Sequence, residues 1–400
     1  MSGINVSVRD IKSILLQYHK ERGYQLPDSF PIVSSDPTVM FVNATITPFK
    51  HFYSSDPEMQ RYNYAFVQRC FRLGGASELD LVGTNPYYHT FFEMFGSGTF
   101  DINHHEAIEY LLELLATLKI EQQRLYYAVP SREKFRSALV ANGVSKNHIF
   151  TLENNSTFWQ EWKFGKLGPV GYGLTAIYSR SLETVNSVDQ MASNIDRFIP
   201  FLCLIYVAWR ETNDDRIIPI TNPGFDLGIG IERLAAVLQK CNTYQIDSIS
   251  PLVAVVNHYL SSVTSSVDEK ITRIVADHLR AICMLIDEGV LPSNKKHGYA
   301  LRKLIRRCLE LVWNSAGQVI STEVLIERFC DQLEQCSGQR IPCSAIVNAV
   351  EEESQALYKV IQKAKRILEK QPDIHPDVLW DTYGLSSKLV TVIKRKEDTK

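Results

Sequence analysis

YHTFFEMFGSGTF, residues 88–100, runs a histidine, two adjacent phenylalanines, an acid and a thioether into a cluster of small residues. Read with the period of two that a strand imposes, His89, Phe91, Glu93 and Phe95 point one way and Thr90, Phe92 and Met94 the other. The second set is the expected core face. The first carries a charge among its aromatics, so it is expected to meet solvent or a ligand. On that reading Phe91 is a ring for a flat heterocycle to stack on, and Glu93 or nearby backbone reads the edge of that heterocycle. A base stacked on an aromatic side chain gains roughly 1–3 kcal/mol. The plain alternative is an amphipathic strand with a half-exposed acid, and alternation alone does not choose between the two.

On either side of this strand the texture is mixed. Ile11, Ile14, Leu15 and Tyr18 mark an opening helix, and Ile108, Leu111, Leu112 and Leu115 a second one. LYYAV (125–129), HIFTL (148–152) and AIYS (176–179) read as strands. GFDLGIGIERLAAVLQ (224–239) reads as a strand, a glycine turn and a helix. Beyond about residue 246 apolar residues recur at three and four almost throughout. Leu301, Leu304, Ile305, Cys308 and Val312 mark one helix; Leu357, Ile361, Ala364 and Leu368 mark another. The expected organisation is an α+β domain over 1–245 followed by an all-helical domain over 246–400.

Bulk properties narrow the function classes. The net charge of −2 over 400 residues excludes a generic polyanion binder, so any nucleic-acid contact has to come from a local basic patch. Eight cysteines without a C-x-x-C pair read as reduced thiols, and the spacing of Cys330, Cys336 and Cys343 does not suit a common zinc site. There is no signal peptide and no run of 18 apolar residues, which makes a cytoplasmic protein without a membrane span the expectation. No oligomeric state is written in the sequence, and a monomer is the default.

Two further stretches carry chemistry. QRCFRLGG (68–75) sets two arginines ahead of a double glycine, a side-chain fork and a pliable loop suited to phosphate; surface arginines before a turn are the commoner explanation. In GFDLGIGIERLAAV (224–237) two glycines open a helix carrying Glu232 and Arg233. A helix N-terminus favours anions, Arg233 adds a full charge for a terminal phosphate, and Asp226 is a partner for a substrate ammonium. An ordinary helix with a solvated ion pair fits the same residues.

Taken together, an arginine–glycine loop, an aromatic–acid strand and a glycine–Glu–Arg helix start follow the order found in class II aminoacyl-tRNA synthetases. The chain resembles the alanyl-tRNA synthetase family in DPTVMFVNA (36–44), QRCFRLGG, HTFFEM (89–94), GIGIERLAAVLQ (228–239), RIVADHLRAICMLIDEGVLPSNKKHGYALRKLIRR (273–307) and WDTYG (380–384). The resemblance covers the catalytic and tRNA-acceptor-recognition portion. The editing region of the family, with its His/Cys metal motif, and its C-terminal oligomerisation region lie outside it.

The resemblance implies an antiparallel active-site sheet with flanking helices and a two-step reaction. An amino acid, alanine or a similar small one, attacks ATP to give an aminoacyl-adenylate, with Mg2+ as counterion, and the acyl group then passes to tRNA in protein biosynthesis. It implies that Arg72 holds the ATP α-phosphate and the attacking carboxylate. Phe91 would stack on adenine with Glu93 and Met94 at its edge, and Arg233 would cover the other adenine face and reach the γ-phosphate. Asp226 and Gly228 would face the amino acid, with Trp159 walling a small pocket. Between residues 289 and 309 there are six Lys/Arg and no acid. Lys295, Arg302, Lys303, Arg306 and Arg307 are therefore expected on tRNA phosphates, with Asn294 at a position that reads the acceptor stem. A solvated helix face is the alternative for such a run.

Against the family pattern, Ala76 stands where a lysine is expected, Cys203 where an asparagine lines the amino-acid pocket, and Thr175 where a glutamate stands. Gly96-Ser97 replaces Gly-Asn, and Lys388 replaces an aspartate that helps read the stem. Each lost hydrogen bond to a buried charged substrate costs about 1.5–3 kcal/mol. Two other functions therefore remain in view: a paralogue that activates another acid or uses another acceptor, and a non-catalytic tRNA-binding protein.

Overall fold

A computed structural model describes residues 6–370 apart from 57, 74–75, 133, 153–157 and 159–160. The chain groups into two compact units, residues up to 72 with 85–247, and residues 73–84 with 248 onward. The connection that follows Arg72 thus belongs with the helices rather than with the sheet from which it departs.

In the first unit the chain forms α1 (Val8–Glu21), then β1 (Tyr64–Phe71). The α2 helix (Ala76–Leu81) falls in the other unit, and the chain resumes with β2 (Phe91–Phe100), α3 (His104–Thr117), β3 (Leu125–Pro130), α4 (Phe135–Ala141) and β4 (Ile149–Leu152). There follow β5 (Glu161–Lys163), β6 (Pro169–Ser179), α5 (Val188–Ala192), β7 (Phe198–Glu211), β8 (Ile217–Gly230) and α6 (Ile231–Leu238). The eight strands make one sheet in the order β1-β2-β8-β7-β6-β3-β4, with β5 added on β6, and only β3 and β4 pair in parallel. The glycines of the 224–239 stretch do not form a turn. Gly228 lies inside β8 opposite Gly96, and the strand runs on to Gly230 before the helix starts.

Local signals account for the helices on this sheet. A capping box between Ser7 and Asp10 starts α1, and one between Asn103 and Glu106 starts α3. Ile11, Leu15 and Tyr18 then form the buried stripe of α1. On the opposite face of the sheet, Ile46, Phe49, Phe52 and Tyr53 pack on Tyr64, Phe66, Phe100, Ile205 and Val207. Phe49 and Tyr64 stack with ring centroids 3.7 Å apart. That cluster covers only part of this face.

The second unit is helical: α7 (Ser250–Val263), α8 (Glu269–Asp287), α9 (Lys296–Ala316), α10 (Glu323–Ser337) and α11 (Cys343–Lys370). Arg307 of α9 pins α2 by donating to the Leu79 carbonyl at 3.2 Å. The α9 and α10 helices each end on a left-handed glycine, Gly317 and Gly338. Among the described residues no helix is long and apolar enough to cross a membrane, and none of the eight cysteines is in a disulfide.

Candidate active site

Directly opposed residues of antiparallel neighbours share a face, so register decides which side chains meet. Phe91, Glu93, Phe95 and Ser97 lie on the helix-covered side. The Phe95 ring sits 4.9 Å from that of His19 on α1. Ser97 Oγ meets the Tyr110 hydroxyl of α3 at 2.8 Å, and the Glu93 carboxylate pairs with Lys12 of α1. Phe91 is 3% exposed. This corrects the expectation for both residues: the acid answers a helix lysine, and the Phe91 ring is core. The ring on the uncovered side is Phe92, half-buried, with Met94 beside it.

Asp226, Gly228 and Gly230 of β8 share that uncovered side, as do Cys203 of β7 and Thr175 of β6. Thr175, Cys203, Gly228 and Gly96 form one row across four strands. The glycines in this region differ. A Cβ on Gly96 would stand 2.2 Å from Thr45, and one on Gly98 would stand 2.2 Å from the Tyr64 ring, so neighbours already fill both positions. At Gly228 a Cβ would meet only Met94 Sδ, at 3.5 Å. The floor is open there. Cys203 stands at one side of the opening, its Sγ 3.7 Å from Thr175 Oγ1.

Asp226 is buried, and its Oδ1 has no hydrogen-bond partner. Burial alone pushes its pKa up to about 7. A carboxylate in this setting is a site for a cation. At the other end of the opening are two guanidiniums. Arg233, the third residue of α6, donates to the carbonyls of Pro200 and Tyr87 at 2.9 and 2.8 Å. Arg72 donates to the carbonyl of Asn43 at 2.9 Å and lies 4.9 Å above the Phe92 ring. Burial, and after it the like charge of Arg72, lowers the pKa of Arg233, which still remains charged at any ordinary pH. Burial raises the Cys203 thiol, opposed by its bond to Thr175 and by the positive fields of Arg233 and Arg72. Two cations held close by backbone carbonyls form an anion site, toward the Gly230 end of the strand that carries Asp226. The same side of the sheet thus carries one group suited to a cation and two suited to an anion.

The helical unit reorders the expected RNA surface. Arg302 and Arg306 of α9 both turn to Glu353 of α11, with Nε to carboxylate distances of 3.0 and 2.9 Å. Arg302 also donates to the Asn294 side chain. Arg307 is directed to α2, reaching Asp80 at 3.7 Å as well as the Leu79 carbonyl. These three arginines are internal fasteners. What faces solvent is Lys295, Lys296 and Lys303 with Asn294 and a Tyr299 ring that is 57% exposed. Lys296, Tyr299 and Lys303 fall on one helical stripe. Trp159, Lys388 and the 380–384 stretch lie outside the described residues, as do Gly74 and Gly75, and the Ala76 side chain is likewise not described.

Comparison with known proteins bears on this geometry. The family model described as tRNA synthetases class II (A) matches residues 10–400. Alanine–tRNA ligase of Idiomarina loihiensis is 29% identical over 419 aligned residues, covering 99% of this chain and 47% of that protein. Alanine–tRNA ligase of Stenotrophomonas maltophilia is 30% identical over 97% of this chain and 46% of its own length. The chain therefore spans about half the length of the curated relatives it matches.

Proposed function

We propose, for a chain that belongs to the class II (A) tRNA synthetase family, that its sheet unit activates a small α-amino acid with ATP and that the product is passed to tRNA, with alanine the expected amino acid. The observation that carries the reading is the placement of Asp226, whose buried Oδ1 has no hydrogen-bond partner, and of the Arg72–Arg233 pair on the side of the sheet that holds the open floor at Gly228. Asp226 receives the ammonium, which restores its ionised form. Arg233 and Arg72 hold phosphate oxygens and draw the amino-acid carboxylate into line with the α-phosphorus. A carboxylate oxygen–phosphorus bond forms, the bond to the β-phosphate oxygen breaks, and pyrophosphate leaves. The protein contributes position and charge to this step. Among the described residues no group of three or more His, Cys, Asp or Glu is placed to hold a metal ion. Mg2+ is assigned to the phosphates of the incoming nucleotide, where it would offset their charge.

Adenine is assigned to the Phe92 ring, with Arg72 leaving that ring when the nucleotide arrives. Phe92→Ala is expected to raise the ATP KM about tenfold at near-native stability, since a stacked base is worth roughly 1–3 kcal/mol. Phe91→Ala is expected instead to destabilise the fold by about 3–5 kcal/mol as a core truncation. Thermal unfolding and ATP saturation curves for the pair separate the two roles, and the reverse pattern would return the stacking ring to Phe91.

For tRNA, the assigned contact is the Lys295–Lys296–Tyr299–Lys303 surface. Replacing Lys296 and Lys303 by alanine is expected to weaken tRNA binding and lower its logarithmic salt slope by about 2. Arg302→Ala is expected to lower the unfolding midpoint, because it leaves Glu353 short of a partner. An unchanged salt slope in the double lysine variant removes this surface from the proposal.

The deciding experiment is a pyrophosphate-exchange screen over all amino acids, with and without tRNA. Alanine-dependent exchange is expected, and absence of exchange with every amino acid overturns the reading. The Cys203–Thr175 pair favours a second reading, activation of a different small amino acid or use of another acceptor, and the same screen reports it as exchange with another acid.

A further inference from the structure

We infer that Glu232 is a positioning residue that sets the separation between the Phe92 ring and the Arg233 guanidinium. Strand β8 pairs with β2 only as far as Met94 opposite Gly230; there the chain turns into α6. The next amide of β2 on that side, Glu93 N–H, has no strand left to bond. Glu232, the second residue of α6, fills the gap: its carboxylate accepts from Glu93 N–H at 3.1 Å through Oε1 and 3.2 Å through Oε2. The side chain is 3% exposed, an unusual place for a glutamate in the first turn of a helix.

Its position in the chain gives this bond its consequence. The amide it holds is the one that follows Phe92, and the residue that holds it precedes Arg233. The clasp therefore joins the two walls assigned to the nucleotide through one side chain and two adjacent peptide links. Arg233 is fixed on its other side by the carbonyls of Pro200 and Tyr87. Without the clasp, the start of α6 keeps those two bonds and the Met94–Gly230 pairing behind it but loses the carboxylate bond that fixes the amide after Phe92. Glu232 itself faces the strand amide and is not assigned a ligand contact; it acts through Phe92 and Arg233. A displacement of about 1 Å in such a frame is enough for a loss on the order of a hundredfold.

The inference rests on the nucleotide assignment made above, and its test separates the two. Glu232→Gln and Glu232→Ala are measured for ATP KM and amino-acid KM in exchange, for equilibrium ATP binding by calorimetry, and for thermal midpoint. The expected result is an ATP KM about tenfold higher for Gln, which keeps one acceptor oxygen, and about a hundredfold higher for Ala. The amino-acid KM should stay within about twofold. A role in folding alone lowers the midpoint and the active fraction but leaves the ATP KM of the surviving enzyme unchanged, and that outcome overturns the inference. So does an equal rise in both KM values. Should the Ala variant fail to fold, the isosteric Gln variant decides. If wild-type protein binds ATP but exchanges no amino acid, the activation reading falls while the calorimetric comparison still decides the clasp; if it does not bind ATP, both fall.

Discussion

Arg233→Ala is expected to reduce kcat/KM for ATP in amino-acid-dependent exchange by about a thousandfold while the protein stays folded. Two of the guanidinium N–H groups are committed to the carbonyls of Pro200 and Tyr87, and the rest of the fork is available to a ligand. Each charge-assisted bond to a phosphate contributes about 1.5–3 kcal/mol, so losing two of them removes roughly 3–6 kcal/mol from the activated complex. The two carbonyls left without a donor lower the unfolding midpoint by some degrees. Circular dichroism and a thermal scan distinguish that cost from unfolding. Arg233→Lys, which keeps the charge but not the planar fork, should fall between wild type and alanine. Exchange at the wild-type rate in Arg233→Ala would remove the anion site from the mechanism.

Asp226→Asn is expected to do opposite things to binding and to stability. A buried carboxylate facing an ammonium, once replaced by a neutral amide, leaves the ligand charge uncompensated at about 3–5 kcal/mol. Amino-acid kcat/KM should drop by two to three orders of magnitude. Stability moves the other way. The folded-state pKa of about 7 lies above the ordinary value of 3.8. Between those values the folded chain keeps a proton that the unfolded chain has released. What this group contributes to stability is therefore fully present below about pH 4 and is lost as pH rises through 7. The asparagine variant has no such loss, so its unfolding midpoint should gain on wild type from about pH 4 to about pH 7 and hold that gain above it. In the wild type, amino-acid affinity should improve with rising pH up to about 7, since the ammonium needs the ionised partner. In the variant it should be flat over that range. Identical pH profiles for the two proteins would show that Asp226 does not titrate in this window.

How much of this was readable from the residues alone varies with the range of the interaction. The helices were visible because their apolar spacing is local: the stripes of Ile11, Leu15 and Tyr18, and of Leu301, Leu304 and Ile305, are buried as their period requires. The two faces of β2 were also visible, but not which face stays open. Alternation makes Phe91 and Phe92 equivalent until one knows that α1, α3 and α6 settle on the side of Phe91, and a charge at Glu93 points to a ligand until Lys12 arrives from 81 positions earlier in the chain. The basic run at 295–307 failed as a local count for the same reason. Its missing acid, Glu353, lies 51 residues after Arg302. Glu232 is visible in the sequence only as part of the glycine–Glu–Arg helix start; its bond to the Glu93 amide is not, because it arises from a strand partner that stops one residue short. Asp226, Arg72 and Arg233 are candidates from local chemistry to which the resemblance to a family assigns roles; their placement on one side of the sheet comes from register.

The three glycines of the opening divide the freedom to change between them unequally. At positions 96 and 98 a methyl group would collide with Thr45 or Tyr64, so mutational drift there is closed off by neighbours with no stake in the substrate. Gly228 has no such guard. A side chain added at that position would narrow the opening without disturbing the sheet beneath it, so a smaller substrate is within reach of one substitution there, whereas a larger one has to be admitted by changes at Cys203 or Thr175.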